Sequence, residues 1–165
     1  MSTENIILNI EELNNPHQWN GIKLEMTNSN ENIIAKIDNT PQCCEVWGHN
    51  ITYEKNGQSI NTKLKDFIGA IFISAEAIEY GKNGKPISTK LKDFISAEII
   101  EYDSDYSNDR YGNYRYGNDT CKVSIDIKII TDKGNIKIEF YNDHNGYYSH
   151  DVSIQVGSSV RIIEL

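Results

Sequence analysis

Cys43-Cys44-Glu45 is the stretch whose residue types are best suited to chemistry. Thiolates bind metals and act as nucleophiles, and a carboxylate beside them can assist in either role. Neighbouring residues on a strand face opposite ways, so two adjacent thiolates reach one metal only where a bulge intervenes. Cysteine is also among the residue types most often buried. Three interpretations are therefore open: packing, a metal site, or redox or nucleophilic chemistry.

A metal site would need further ligands from elsewhere in the chain. A closed zinc site takes four ligands, usually in paired spacing such as C-x2-C, and that spacing is absent here. The residues that could complete such a site are His49, Cys121, His144 and His150, and none lies at a diagnostic spacing. A metal-binding protein with Cys and His ligands is thus an alternative, and the sequence specifies no cofactor.

Residues 143–151, with the sequence DHNGYYSHD, form the densest polar cluster. The Asn-Gly pair at 145–146 favours a hairpin loop, because both residue types tolerate a positive φ. The alternative is acid–base or ligand chemistry, in which Ser149, His144 and Asp143 would supply nucleophile, base and acid. No glycine-rich oxyanion loop, phosphate-binding loop or HExxH motif accompanies them. The pattern favours a role other than catalysis.

Alternating apolar residues predict the strands that would position these segments. The Asn20-Gly21 and Asn56-Gly57 pairs are predicted to be turns. The predicted strands cover residues 22–26, 33–37, 46–53, 70–80 and 151–156, with a hairpin over 121–141 that turns at 132–134.

INTKLKDFI at 60–68 is nearly repeated as ISTKLKDFI at 87–95. Thr62 is predicted to cap a short helix. Two unequal copies are too few for a solenoid, so we expect one copy in the core and the other as a hairpin-like insertion at a sheet edge. The helix is predicted to place three apolar residues on one face: Leu64, Phe67 and Ile68.

The whole chain, residues 1–165, is predicted to be one α+β domain, mostly antiparallel sheet with one or two short helices. Residues 61–102 contain the duplication, and the low-complexity segment 103–120 is expected to be a surface loop. No signal peptide or membrane span is expected, and an odd count of three cysteines fits a reducing compartment, so we expect a cytoplasmic protein. The net charge of −8 disfavours nucleic acid and anionic membranes. It leaves a protein partner or a small ligand, with the oligomeric state open.

Four motifs in this order resemble a family of small uncharacterised proteins of bacteriophages and bacteria. The motifs are CCEVW at 43–47, LKDFIG with ISAE within 64–76, ITDKGNIKIEFY at 130–141 and HNGYYS at 144–149. The resemblance covers roughly residues 30–156; the second repeat copy and the tyrosine-rich loop depart from it. It implies a compact α+β fold and a viral or mobile-element origin, and a large virus with an AT-rich genome fits the composition.

The resemblance and the residues together predict a non-enzymatic accessory or binding protein, of a counter-defence or immunity type. It would act in the host cytoplasm if it is viral. The alternatives are the metal-binding protein and a minor structural component of a virion. The residues predicted to form the binding face are Cys43, Cys44, Glu45, His144, Asn145, Gly146, Tyr147 and Tyr148.

Overall fold

The computed structural model describes residues 4–16, 18–40, 46–80, 85–96, 121–144 and 149–165, with only the backbone for 80, 121–123 and 144. The strands are β1 (Ile7–Asn14), β2 (Trp19–Met26), β3 (Ile33–Asp38), β4 (Val46–Lys55), β5 (Gln58–Ser59), β6 (Phe72–Tyr80), β7 (Pro86–Lys90), β8 (Cys121–Thr131), β9 (Gly134–His144), β10 (Asp151–Val156) and β11 (Ser159–Glu164). One α-helix, α1 (Leu91–Ser96), and two 3-10 turns, Ser29–Glu31 and Leu64–Phe67, complete the described elements.

The described part of the chain is thus nearly all β. The prediction of a single, mostly antiparallel β domain with few short helices is confirmed, whereas the α+β label overstates the helical share. The apolar residues alternate with a period of two along most of the chain, which suits strands with one buried face. The helical pieces have three to six residues each, too few to form a layer of their own.

The strands form two antiparallel sheets that share one core. The five-stranded sheet has the order β1-β2-β3-β10-β11, and the six-stranded sheet has the order β5-β4-β9-β8-β6-β7. Buried side chains from both sheets belong to one hydrophobic cluster, with Ile22 and Ile37 from the first and Ile138 and Phe140 from the second. The arrangement is a β-sandwich, in which each sheet covers the apolar face of the other.

The predicted hairpin at 121–141 is confirmed, with β8 and β9 paired in unbroken register and the turn between Thr131 and Gly134. The predicted turn at Asn56-Gly57 is also confirmed, because both residues have positive φ. The predicted turn at Asn20-Gly21 is wrong: both residues lie inside β2. Gly21 is required there by the close approach of β3, since a Cβ atom would lie 2.1 Å from the Ala35 carbonyl oxygen.

Both copies of the repeat contribute to the core, contrary to the expectation that only one would. Phe67 of the first copy and Phe94 of the second are both buried. The first copy forms the 3-10 turn, which packs against β1, whereas the second ends β7 and forms α1, which packs against β10 and β11. The second copy also supplies an edge strand, β7, as expected. Its remaining residues, 97–102, and the loop 103–120 lie outside the described residues.

The cap of the first copy lies one residue later than predicted. Lys63 is the N-cap residue. The Asp66 carboxylate accepts hydrogen bonds from the Lys63 backbone N–H and the Thr62 hydroxyl, each at 2.9 Å. Ile68 is exposed, so it does not share the buried face with Phe67. The turn ends before Ile68, whose extended backbone carries its side chain away from the core.

A carboxylate on the outer face of the six-stranded sheet makes the stability depend on pH. Glu54 lies 2.5 Å from the Lys128 ammonium and accepts a hydrogen bond from Asn135 at 3.1 Å. Its hydrogen bonds with Lys128 and Asn135 lower the pKa of Glu54 from the usual 4.5. A carboxylate with a lowered folded-state pKa stabilises the protein above its unfolded pKa, and this contribution is lost as the pH falls through the folded value.

We therefore expect Glu54→Gln to lower the free energy of unfolding at pH 7 by up to about 1 kcal/mol, because the pair is partly exposed. The difference from the unmodified chain should shrink below pH 4.5 as Glu54 is protonated. Urea unfolding at neutral and acidic pH measures both values, with Glu4→Gln at an exposed position as the control. A difference that stays constant with pH would contradict the assignment.

Candidate functional site

The two predicted motifs attach to neighbouring strand ends of the six-stranded sheet. β4 begins at Val46, directly after the Cys-Cys-Glu segment, and β9 ends at His144, directly before the Asn-Gly segment. Val46 pairs with Asp143, so the two segments leave the sheet from adjacent positions. Cys121 pairs with His144 at the same end.

The predicted site residues themselves fall outside the part that can be described. Only the backbone of His144 is described, as the last residue of β9. The other predicted residues lie outside the described residues: Cys43, Cys44, Glu45, Asn145, Gly146, Tyr147 and Tyr148. A shared binding face formed by these residues therefore stays a prediction.

Trp47 and His150 join the two sheets at this end, which we call the Trp47 end. Their rings stack with centroids 4.4 Å apart and planes within 10°. Trp47 comes from β4 of the six-stranded sheet, and His150 directly precedes β10 of the five-stranded sheet. Because His150 is only 1% exposed, it is part of the core at this end of the sandwich.

Polar contacts hold His150 and the last residue in place. Nδ1 of His150 lies 3.6 Å from Oδ2 of Asp38, at the end of β3. The backbone of His150 exchanges two hydrogen bonds with Leu165, and the side-chain amide of buried Asn142 donates to the Leu165 carbonyl at 3.0 Å. The described residues of the Trp47 end therefore form a packed polar and aromatic layer.

A second histidine lies nearby on the same strand as Trp47. Nε2 of His49 lies 3.0 Å from Oε1 of Glu12, and its ring contacts Phe140 at a centroid distance of 6.2 Å. On β2 at this end, the buried Oδ1 of Asn20 accepts no hydrogen bond within the described residues. The inner face of the sandwich thus changes from aliphatic to polar toward the Trp47 end.

The comparison with known protein families identifies the family of this chain. A family model described as a domain of unknown function, DUF7448, matches residues 4–154. The chain belongs to the DUF7448 family. The match includes both predicted motifs and every strand from β1 to β9, together with most of β10. It agrees with the resemblance to an uncharacterised family. No curated protein and no solved structure matches the chain.

The described residues of this DUF7448 domain bear on the metal and acid–base interpretations in four respects. Across the described ranges, no three His, Cys, Asp or Glu residues lie close enough to hold a metal ion. Ser149, the predicted nucleophile, is exposed, and its contact with His144 lies outside the description. His150 is buried too deeply to meet a substrate. No helix in the described parts of the chain is long and apolar enough to cross a membrane.

Three residues of the Trp47 end were missed by sequence reasoning: Asp38, Trp47 and Asn142. The alternation of buried and exposed residues along the strands could have identified two of them. Asn142 continues the alternation of Ile138 and Phe140 on β9, and Trp47 continues that of Ile51 and Tyr53 on β4. Strand alternation places such residues on the buried face. Asp38 carries no such signal, because its contact with His150 depends on how β3 and β10 pair.

Proposed function

We propose that this DUF7448 protein is a non-enzymatic binding protein of a virus or mobile element, whose partner contacts the Trp47 end. The observation that carries the proposal is the pairing of Val46 with Asp143. The strand end that follows the Cys-Cys-Glu segment therefore lies beside the strand end that precedes the Asn-Gly-Tyr-Tyr segment. Loops on a rigid sheet end are common sites of recognition.

The buried contacts at this end support binding rather than catalysis. The stack of Trp47 on His150 ties the two sheets together at the sheet end from which the two segments start. A binding face needs such a rigid base, because the strand ends from which its segments start then hold their positions. A catalytic site would instead need a titratable group in reach of a substrate, and His150 is shielded.

The charge indicates the kind of partner. With a net charge of −8, the chain is attracted to basic surfaces and repelled by nucleic acid. A basic host protein in the cytoplasm, as expected for a counter-defence or immunity-type binder, fits this charge. Charge of this kind mainly increases the rate of association.

Site-specific photo-crosslinking tests the proposal. Val46 is 63% exposed at the Trp47 end, and Ile73 is 61% exposed at the start of β6, at the opposite end of the sheet. A photoreactive residue at position 46 should capture one macromolecule in cells that make the protein, and the same residue at position 73 should not. Replacing Tyr147 and Tyr148 by serine should abolish the capture at position 46.

Equal capture at positions 46 and 73, or capture that survives the loss of both tyrosines, would contradict a partner at the Trp47 end. No capture from either position would contradict the binding function itself. Circular dichroism of each variant separates a lost partner from a lost fold.

Metal binding is the second candidate, and one observation favours it. Cys121 lies opposite His144 in the β8–β9 pairing, at the same sheet end as the segment that carries Cys43 and Cys44. Thiolate and imidazole are the ligands that zinc prefers. Native mass spectrometry of the purified chain would show a mass excess that denaturation removes. A bare mass would rule out a resident metal under those conditions.

A further inference from the structure

Among the described residues the two sheets have four edge strands, and three of them carry features that oppose their pairing with another chain. β1 has an irregular register at Ile7–Asn9, β5 is two residues long, and β7 begins at Pro86. Bulges, short length and proline are the usual means by which proteins protect sheet edges. β11 differs: it has six residues, pairs with β10 in unbroken register and contains no proline.

The side of β11 that faces away from β10 carries backbone N–H and C=O groups that pair with no described strand. Leu165 and His150 exchange both backbone hydrogen bonds, at 2.9 and 3.0 Å. In an antiparallel pair the residues alternate between bonded and non-bonded positions. Counting back from Leu165, the N–H and C=O groups of Val160, Ile162 and Glu164 therefore point away from β10. β11 is the last strand of its sheet among the described residues, and no described strand occupies this row.

The side chains of β11 suit close approach by a second strand. Val160 and Ile162 are exposed apolar residues on one face, and both are β-branched. Arg161 is drawn inward: its Nη1 donates to the Phe94 carbonyl at 2.5 Å, and its guanidinium lies 4.1 Å from the Phe94 ring centroid. The strand has one Arg and one Glu, so it is locally neutral on a chain with a net charge of −8.

We propose that β11 pairs antiparallel with β11 of a second copy of this chain, with Ile162 opposite Ile162 of the other copy. In this register Ile162 exchanges backbone hydrogen bonds with its symmetry mate, and Val160 does so with Glu164. Shifting the register to place Arg161 opposite Arg161 would juxtapose like charges and leave Glu164 unpaired. The pairing joins two five-stranded sheets into one continuous sheet through an isologous two-fold contact.

The local neutrality of β11 is the reason for choosing a second copy as the occupant. Two chains with the same negative charge repel each other over most of their surfaces, and β11 is an edge where this repulsion is small. One short strand buries less area than a standard interface. We therefore expect a weak dimer that forms as the concentration rises.

Sedimentation velocity up to about 1 mM chain tests the proposal. The unmodified chain should shift toward the dimer, and Ile162→Lys should stay monomeric, because a lysine on an edge strand opposes pairing. The control is Ile87→Lys on the proline-protected edge β7, where Ile87 is 56% exposed against 60% for Ile162. This control should dimerise like the unmodified chain. A monomer at every concentration, or a dimer that survives Ile162→Lys, would overturn the proposal.

Oxidative cross-linking tests the register. Directly opposite residues in a bonded antiparallel pair have Cα atoms about 5.5 Å apart, which a disulfide spans. Ile162→Cys should therefore form a covalent dimer on mild oxidation, well above the background of the three native cysteines in the unmodified chain. Val160→Cys, which faces Glu164, should stay near that background. Equal or stronger cross-linking of Val160→Cys would overturn the proposed register.

Discussion

Phe94→Ala is expected to lower the free energy of unfolding by about 3–5 kcal/mol, as is usual when a buried phenylalanine is truncated. Phe67→Ala should cost a similar amount, because both rings are buried in the shared core. The rings belong to two near-identical segments that sit in different places. Phe67 packs on the ring of Tyr53, with centroids 5.7 Å apart, and Phe94 lies under the guanidinium of Arg161. Urea unfolding monitored by circular dichroism gives both values.

The matched control is Ile68→Ala, since Ile68 follows Phe67 directly and is exposed. It should change the free energy of unfolding by less than about 1 kcal/mol. A small effect of Phe94→Ala beside a large effect of Phe67→Ala would mean that the second copy is a dispensable insertion. A large effect of both would establish that the duplicated segment has become part of the core.

Gly21→Ala is expected to lower the free energy of unfolding by about 3 kcal/mol, at the upper end of the usual cost of overpacking. An alanine Cβ would lie 2.1 Å from the Ala35 carbonyl oxygen and 2.6 Å from the Lys36 Cα atom. These are backbone atoms of the neighbouring strand β3, so β2 and β3 must separate. Differential scanning calorimetry or urea unfolding measures the loss.

Gly57→Ala provides the contrast for Gly21. Nothing lies within 4 Å of a Cβ atom at Gly57, but its φ of +75° disfavours an L-residue. It should cost about 1–2 kcal/mol, the penalty for a left-handed conformation. If Gly21→Ala and Gly57→Ala lower the free energy of unfolding by the same amount, the contact with β3 is not what makes glycine necessary at position 21.

Local alternation was sufficient to predict individual strands of this fold. The β8–β9 hairpin is the clearest case, because isoleucines at every second position flank a short turn that contains a glycine. Such a pattern has one buried face under any arrangement of the sheets. The same reasoning failed at Asn20-Gly21, where a typical turn pair lies inside a strand. Only the neighbouring strand β3 shows why glycine is needed there.

The arrangement of the sheets could not be predicted, because its decisive pairings join distant parts of the chain. β3 pairs with β10, and β4 pairs with β9. No local signal distinguishes these partners from others of similar alternation. The repeat shows the same limit: the shared TKLKDFI stretch forms a 3-10 turn in one copy and a strand followed by α1 in the other. Tertiary packing decides between them.

The candidate site was predictable only as two separate motifs. Sequence reasoning singled out the Cys-Cys-Glu and Asn-Gly-Tyr-Tyr segments, but it gave no basis for the pairing of Val46 with Asp143. The Trp47–His150 stack was equally hidden, because each ring comes from a different sheet. A contact between sheets depends on how they are superposed, and alternation along one strand carries no information on this.

The pairing of β3 with β10 also bears on how the protein is made. On the ribosome the first three strands emerge long before β10, so the five-stranded sheet cannot be completed until β10 and β11 have been synthesised. Until then the edge of β3 that pairs with β10 stays open to other chains. Pairings between distant segments also form slowly. Truncation before β10 should therefore leave a fragment that aggregates rather than a smaller folded unit.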